Sequence, residues 1–137
     1  MVKSIFSINI AVADLDAAVK RYEAFFDVKA ELRGGTGFAF PGLRGARITI
    51  GTVRLNLITS DTPDTSVARF LEKKGEGVFL VSAEVDDMRE QLSRLDDMGI
   101  KPILKESAEG IWGIVNFVHP KEMHGVQFEI LQPAKEQ

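Results

Sequence analysis

The 137 residues contain no cysteine, which excludes disulfides and thiolate metal sites. Histidine is scarce. His119 and His124 are the only two, both in a turn-like stretch, where exposed turn residues are a simpler reading than a metal pair. Tryptophan and tyrosine occur once each. No apolar run approaches the roughly 20 residues needed to cross a bilayer, so no membrane partner is expected. Charge is modest, with a net −3 and a pI near 5.4. The basic residues are scattered apart from Lys73-Lys74, so there is no electrostatic footprint for nucleic acid. Met1–Ser4 leads into a strand pattern without signal-peptide architecture, and cytoplasm is the default expectation. Against these absences stand 45% hydrophobic and 27% charged residues, the composition of an ordinary soluble globular chain.

The positive signal is an internal repeat. Val12-Ala13-Asp14-Leu15 opens one helical pattern and Val85-Asp86-Asp87-Met88 opens another, 73 positions later. The same offset carries Val53-Arg54-Leu55-Asn56-Leu57-Ile58 onto Val126-Gln127-Phe128-Glu129-Ile130-Leu131. Each copy reads βαβββ. In the first, a strand Ile5–Val12 precedes an Asp14-capped helix running through Phe26. Short strand pieces follow over residues 28–42, and then Arg47–Ile50 and Val53–Thr59 flank a tight Gly51-Thr52 turn. A helix Thr65–Lys74 ends at Gly75 as a C-cap requires. The second copy has strand Val78–Val85, helix Asp87–Met98 closed by Gly99, a strand from Lys101, strand Ile111–Val118 and strand Val126–Leu131, with a frayed tail after Pro133. The chain reads as one α+β domain over 1–137: module 1 at 5–60, a connector helix at 61–76, and module 2 at 77–133.

Side chains alternate across a strand. With Ile8, Ile10, Val12, Val53, Leu55, Leu57, Phe79, Val81, Ala83, Val85, Val126, Phe128 and Ile130 turned to the helices, the other face carries Ser7, Asn9, Arg54, Asn56, Ser82, Glu84, Gln127 and Glu129. The Gly51-Thr52 hairpin brings Arg47 and Thr49 to that second face. It is either a plain solvated face or the polar lining of a cup, and the doubled sheet favours the cup.

The βαβββ duplication, Ala11-Val12-Ala13-Asp14-Leu15 and Glu84-Val85-Asp86-Asp87 resemble the vicinal oxygen chelate superfamily of glyoxalases, extradiol dioxygenases, epimerases and bleomycin-resistance proteins. The stretch 67–77 and Phe117-Val118-His119-Pro120-Lys121 are most similar to its methylmalonyl-CoA epimerase branch. The resemblance spans Ile5 to Gln132 and implies two tandem modules forming a curved mixed sheet around a cup. It also implies four metal-ligand positions, here Ser7, Asn56, Leu80 and Glu129, where the family would place His at the first and third. Leu80 carries no donor, and Ser, Asn and one Glu supply a single charge, so no metal and no other cofactor is expected.

What remains is Glu129, which the family uses as ligand and proton-transfer base. In a partly dry cup its pKa would rise and it would act as acid–base. Arg47, Arg54, Asn56 and Asn116 would anchor a carboxylate or carbonyl, with Ser7, Asn9 and Leu80 lining the cup and Trp112 stacking on an aromatic ligand. The competing reading pairs Glu129 with Arg54 or Arg47 and assigns it no chemistry. The function expected is metal-independent proton transfer of isomerase, epimerase, cyclase or lyase type on a small polar or carbonyl substrate. A small-molecule sequestering protein and a fold relic are the alternatives. A homodimer is expected by analogy and from the exposed edge of Ile5–Val12.

Overall fold

The computed structural model describes residues 1–34, 37–38 and 40–135. The chain forms two compact units, Ser7–Phe79 and a second in which Met1–Phe6 joins the residues from Leu80 onward. The first strand, β1 (Val2–Ala11), therefore contributes one half to each. It starts earlier than the alternation over Ile5–Val12 suggested.

In the Ser7–Phe79 unit, α1 (Leu15–Phe26) begins where Asp14 accepts a hydrogen bond from the Ala17 amide, which satisfies an otherwise orphaned N–H. It stops at Asp27, in the left-handed region at φ 54°. The strands β2 (Glu31–Arg33), β3 (Leu43–Ile50) and β4 (Val53–Ser60) follow, in the order β2-β3-β4-β1. Ile50 pairs with Val53 across Gly51-Thr52, and Gly51 adopts φ 60°, so the hairpin is the two-residue type its sequence signalled. α2 (Ser66–Lys74) is capped by Thr65 and ends at Gly75, whose amide bonds back to Leu71. One sheet face packs on α1 through Val12, Leu15, Ala46, Ile48 and Leu57. The opposite face is closed at one end by α2, where Val67 meets Ala11, Leu43 and Ile58. Ser7 and Asn9, on that second face, are 2% and 8% exposed. At these positions the solvated-face reading fails.

In the second unit the order is β1-β5-β8-β7-β6, with β5 (Gly77–Val85), α3 (Met88–Asp97), β6 (Ala108–Gly110), β7 (Gly113–Val118) and β8 (Phe128–Pro133). Asp87 caps α3 by accepting from Arg89 and Glu90. Val85, Met88, Leu95, Ile100, Val118 and Ile130 form the core between sheet and helix.

Two expectations are corrected here. No strand starts at Lys101. Pro102 has no N–H to donate, and the Leu104 backbone is bonded by the Asn116 side chain instead of a strand partner. Nor does one strand run from Ile111 to Val118. Gly110 pairs with Gly113 across a two-residue turn, Ile111-Trp112.

Candidate functional site

The repeat survives as register. The parallel pair Asn9–Asn56 of β1 and β4 and the parallel pair Ser82–Glu129 of β5 and β8 are the same pairing, 73 residues apart. Both pairs are joined through their side chains. Asn56 Nδ2 donates to Asn9 Oδ1 at 2.8 Å, and Ser82 Oγ donates to Glu129 Oε1 at 2.7 Å.

In the Ser7–Phe79 unit the polar residues form a connected chain. Arg47 pairs with Asn56 across the hairpin, and its Nε donates to Asn56 Oδ1 at 2.8 Å. Asn9 Oδ1 also accepts from Ser7 Oγ at 3.0 Å. Arg54 lies on the same face, opposite Ser7 on one side and Thr49 on the other. The hairpin thus brings Arg47 and Thr49 to the polar face, as alternation required.

In the other unit, Glu129 is half-buried and stands beside fully buried Ser82. Its antiparallel partner is Phe117, 7% exposed. Alternation puts Leu80, Val115 and Leu131 on the same face, each 5% exposed or less. This half of the face is therefore mixed, and the expectation of a face polar throughout does not hold. The reason lies in β7, whose apolar residues occupy both of its faces.

Asn116 is a second correction. It pairs with Ile130, which belongs to the core against α3, so it lies on the face opposite Glu129. Its carboxamide accepts from the Leu104 and Phe117 amides and donates to the Leu104 carbonyl and Ser107 Oγ. All four hydrogen-bonding positions of an amide are then used, and Asn116 is a clamp on residues 104–107 rather than a ligand anchor. Trp112, expected on a strand, sits in the β6–β7 turn. There its ring lies against Gly110, leaving no room for a Cβ. Ser82 was missed as a site residue, although the offset that relates Asn56 to Glu129 also relates Asn9 to Ser82.

The donor chemistry does not suit a divalent metal at the four family positions. Leu80 has no ligating atom. Within their own unit, the Ser7 hydroxyl donates to Asn9 and the Asn56 oxygen accepts from Arg47. Mg²⁺ or Zn²⁺ requires several converging O or N donors, and no group of three His, Asp or Glu residues able to hold a metal occurs among the described residues. No described helix is long and apolar enough to cross a membrane.

Comparison with known proteins agrees with this architecture. Crystallographic methylmalonyl-CoA epimerase from Mycobacterium tuberculosis matches with a TM-score of 0.86 and 26% identity, over 98% of this chain and 90% of that one. A variant of the Streptomyces coelicolor epimerase in complex with 2-nitronate-propionyl-CoA matches at 0.86 and 29%, over 98% of this chain and all of that one. A methylmalonyl-CoA epimerase in complex with methylmalonyl-CoA and NH4+ matches at 0.85 and 29%, over 98% of this chain and 96% of that one. The uncharacterized protein YqjC of Bacillus subtilis (strain 168) is 35% identical over 88 residues, 64% of this chain and 63% of that protein. The match thus spans less than two thirds of that relative's length. Among the described residues, the strand order and the α-helices of each unit are those of the vicinal oxygen chelate fold. Residues 7–118 match the family model itself, and the chain belongs to the Glyoxalase/Bleomycin resistance protein/Dioxygenase superfamily.

Proposed function

We propose that this protein is an enzyme that moves a proton at a carbon next to a carbonyl, on a small polar substrate, with Glu129 as acid–base and without a metal. The observation that carries this reading is the Ser82–Glu129 hydrogen bond. A buried hydroxyl holds a half-buried carboxylate, flanked by buried Phe117, at the position where the family keeps its chemical centre. The similarity to methylmalonyl-CoA epimerases supports the isomerase or epimerase class.

In the step proposed, the Glu129 carboxylate takes the C–H proton and the bonding pair shifts onto the carbonyl oxygen as an enolate. The carboxylic acid then returns the proton to carbon. General acid–base help of this kind contributes about 10²- to 10⁴-fold. Arg47, Arg54 and Asn56, with Ser7 and Asn9 beside them, are proposed to bind the carbonyl or carboxylate of the substrate, and Trp112 to stack on an aromatic ligand. A cytoplasmic homodimer completes the proposal; sedimentation measures its assembly.

The test is proton–deuterium exchange on methylmalonyl-CoA, the ligand of a structural neighbour, with chelator-treated protein. Exchange that persists after chelation and falls about 10²-fold or more in Glu129→Gln is the expected result. Exchange that vanishes with chelation and returns with Co²⁺ overturns the metal-free step. Saturable binding without exchange, on this and other carbonyl acids, replaces the enzyme with a sequestering protein.

A further inference from the structure

The strand order leaves one edge of the Ser7–Phe79 unit open. β1, whose edge motivated the expectation of a dimer, stands beside β4 in one strand order and beside β5 in the other. The terminal strand is instead β2, with β3 on one side and no strand beyond it among the described residues. An open edge presents N–H and C=O groups that another strand can take up, and natural edges are blunted by brevity or by charge. β2 is short, only Glu31-Leu32-Arg33, yet its central residue is apolar and 78% exposed. Leu32 pairs with Ala46, which belongs to the core against α1, so Leu32 lies on the α1 side of the sheet. The last turn of α1 is tied to the start of β2, because Glu23 accepts the Ala30 amide at 2.7 Å. Phe25, in that turn, is 80% exposed. Two large apolar side chains therefore stand uncovered around the start of β2.

The charges on β2 say what covers it. A two-fold axis that sets two copies of a strand side by side and antiparallel runs perpendicular to the sheet, and one residue then faces its own copy. Glu31 at the axis sets carboxylate against carboxylate, and Arg33 at the axis sets guanidinium against guanidinium. Leu32 at the axis sets leucine against leucine, with Glu31 opposite the partner's Arg33 and Arg33 opposite the partner's Glu31. Directly opposed Cβ atoms are about 4.5–5.5 Å apart, and opposite charges there attract. Within one chain the same two residues meet only at 3.9 Å, between Arg33 Nη2 and Glu31 Oε2. Charges that would repel most incoming strands thus select a second copy of this one. β6, the terminal strand of the other unit, carries Glu109 as its one charge between Ala108 and Gly110 and has no such match.

We propose that a second copy of this chain adds to the β2 edge, antiparallel and centred on Leu32, with Glu31–Arg33 ion pairs on both sides of the axis and Phe25 in the apolar part of the contact. This rests on the homodimer of the proposed function and names the surface that forms it.

Sedimentation of the full chain tests it. Glu31→Arg sets like charges against each other at both ends of the contact, and so does Arg33→Glu. Each should weaken the dimer about tenfold or more. In an equal mixture of the two variants, one chain carries two arginines and the other two glutamates, so the mixture should reassociate to near wild-type strength. A purely structural role for either residue would not produce that recovery. Leu32→Lys, a change at an exposed position, should also weaken the dimer by placing charge on the axis, and it serves if a reversal variant does not fold. A wild-type dimer that none of these changes loosens overturns the β2 surface and leaves the homodimer standing. Variants that loosen singly and do not recover on mixing overturn the register centred on Leu32. A wild type that is monomeric at every concentration overturns both.

Discussion

Ser82 Oγ and Glu129 Oε1 lie 2.7 Å apart across a parallel strand pair. The donor is 0% exposed and the acceptor half-buried. A hydroxyl so placed restricts the carboxylate's rotamers and stabilises it by about 1.5–3 kcal/mol, the range for bonds to charged groups.

On the proposed acid–base role of Glu129 in carbon–proton transfer, Ser82→Ala should lower kcat by about tenfold, with KM little changed. That loss is smaller than the roughly 10²-fold or greater loss in Glu129→Gln. Steady-state kinetics of the two variants check it, and equal losses would count against Ser82 as a positioning residue.

Asn116→Ala removes four hydrogen bonds at once and leaves the Leu104 and Phe117 backbone groups without them. The expected cost is about 2–4 kcal/mol of stability, since each unsatisfied buried group costs about 1–3 kcal/mol. Urea denaturation reads the loss, and amide exchange at Leu104 should speed up well beyond the global effect.

Gly113 has φ 125°, and a Cβ there would strike the Gln132 carbonyl oxygen. Gly51, at φ 60°, has open space around it. Gly51→Ala should cost about 1–2 kcal/mol for left-handed backbone alone. Gly113→Ala should cost several times more, by thermal denaturation under identical conditions.

The Thr62 hydroxyl, followed by the Asp64 backbone, holds the Asp64 carboxyl below its ordinary value. A depressed folded-state pKa adds stability above the unfolded value of 3.8, and that contribution is lost as pH falls through the lower folded value. Carboxyl titration by NMR should place the Asp64 midpoint below 3.8, and Thr62→Ala should raise it. Asp64 is fully exposed, so the effect on overall stability should be slight.

Local signals carried much of this fold. Asp14 caps the helix it was expected to cap, and Thr65 and Asp87, expected as the first residues of their helices, turn out to be the caps; an N-cap needs only a side-chain oxygen a few residues from the amide it serves. Gly51-Thr52 made its hairpin for an equally local reason. The repeat at an offset of 73 was legible because each copy retains its own alternation, and it matches Asn9 with Ser82 and Asn56 with Glu129; the strand pairing that joins Asn9 to Asn56 and Ser82 to Glu129 came from the structure.

Tertiary structure alone decided the placement of Asn116, the loop at 101–107 and the hairpin carrying Trp112. β7 is apolar on both faces, so alternation within it does not say which face Asn116 takes. That follows from its register with β8 across residues 119–127, too long a connection to impose a register locally. The course of residues 101–107 depends on a side chain distant in sequence. Each is a property of pairs that only folding brings into contact.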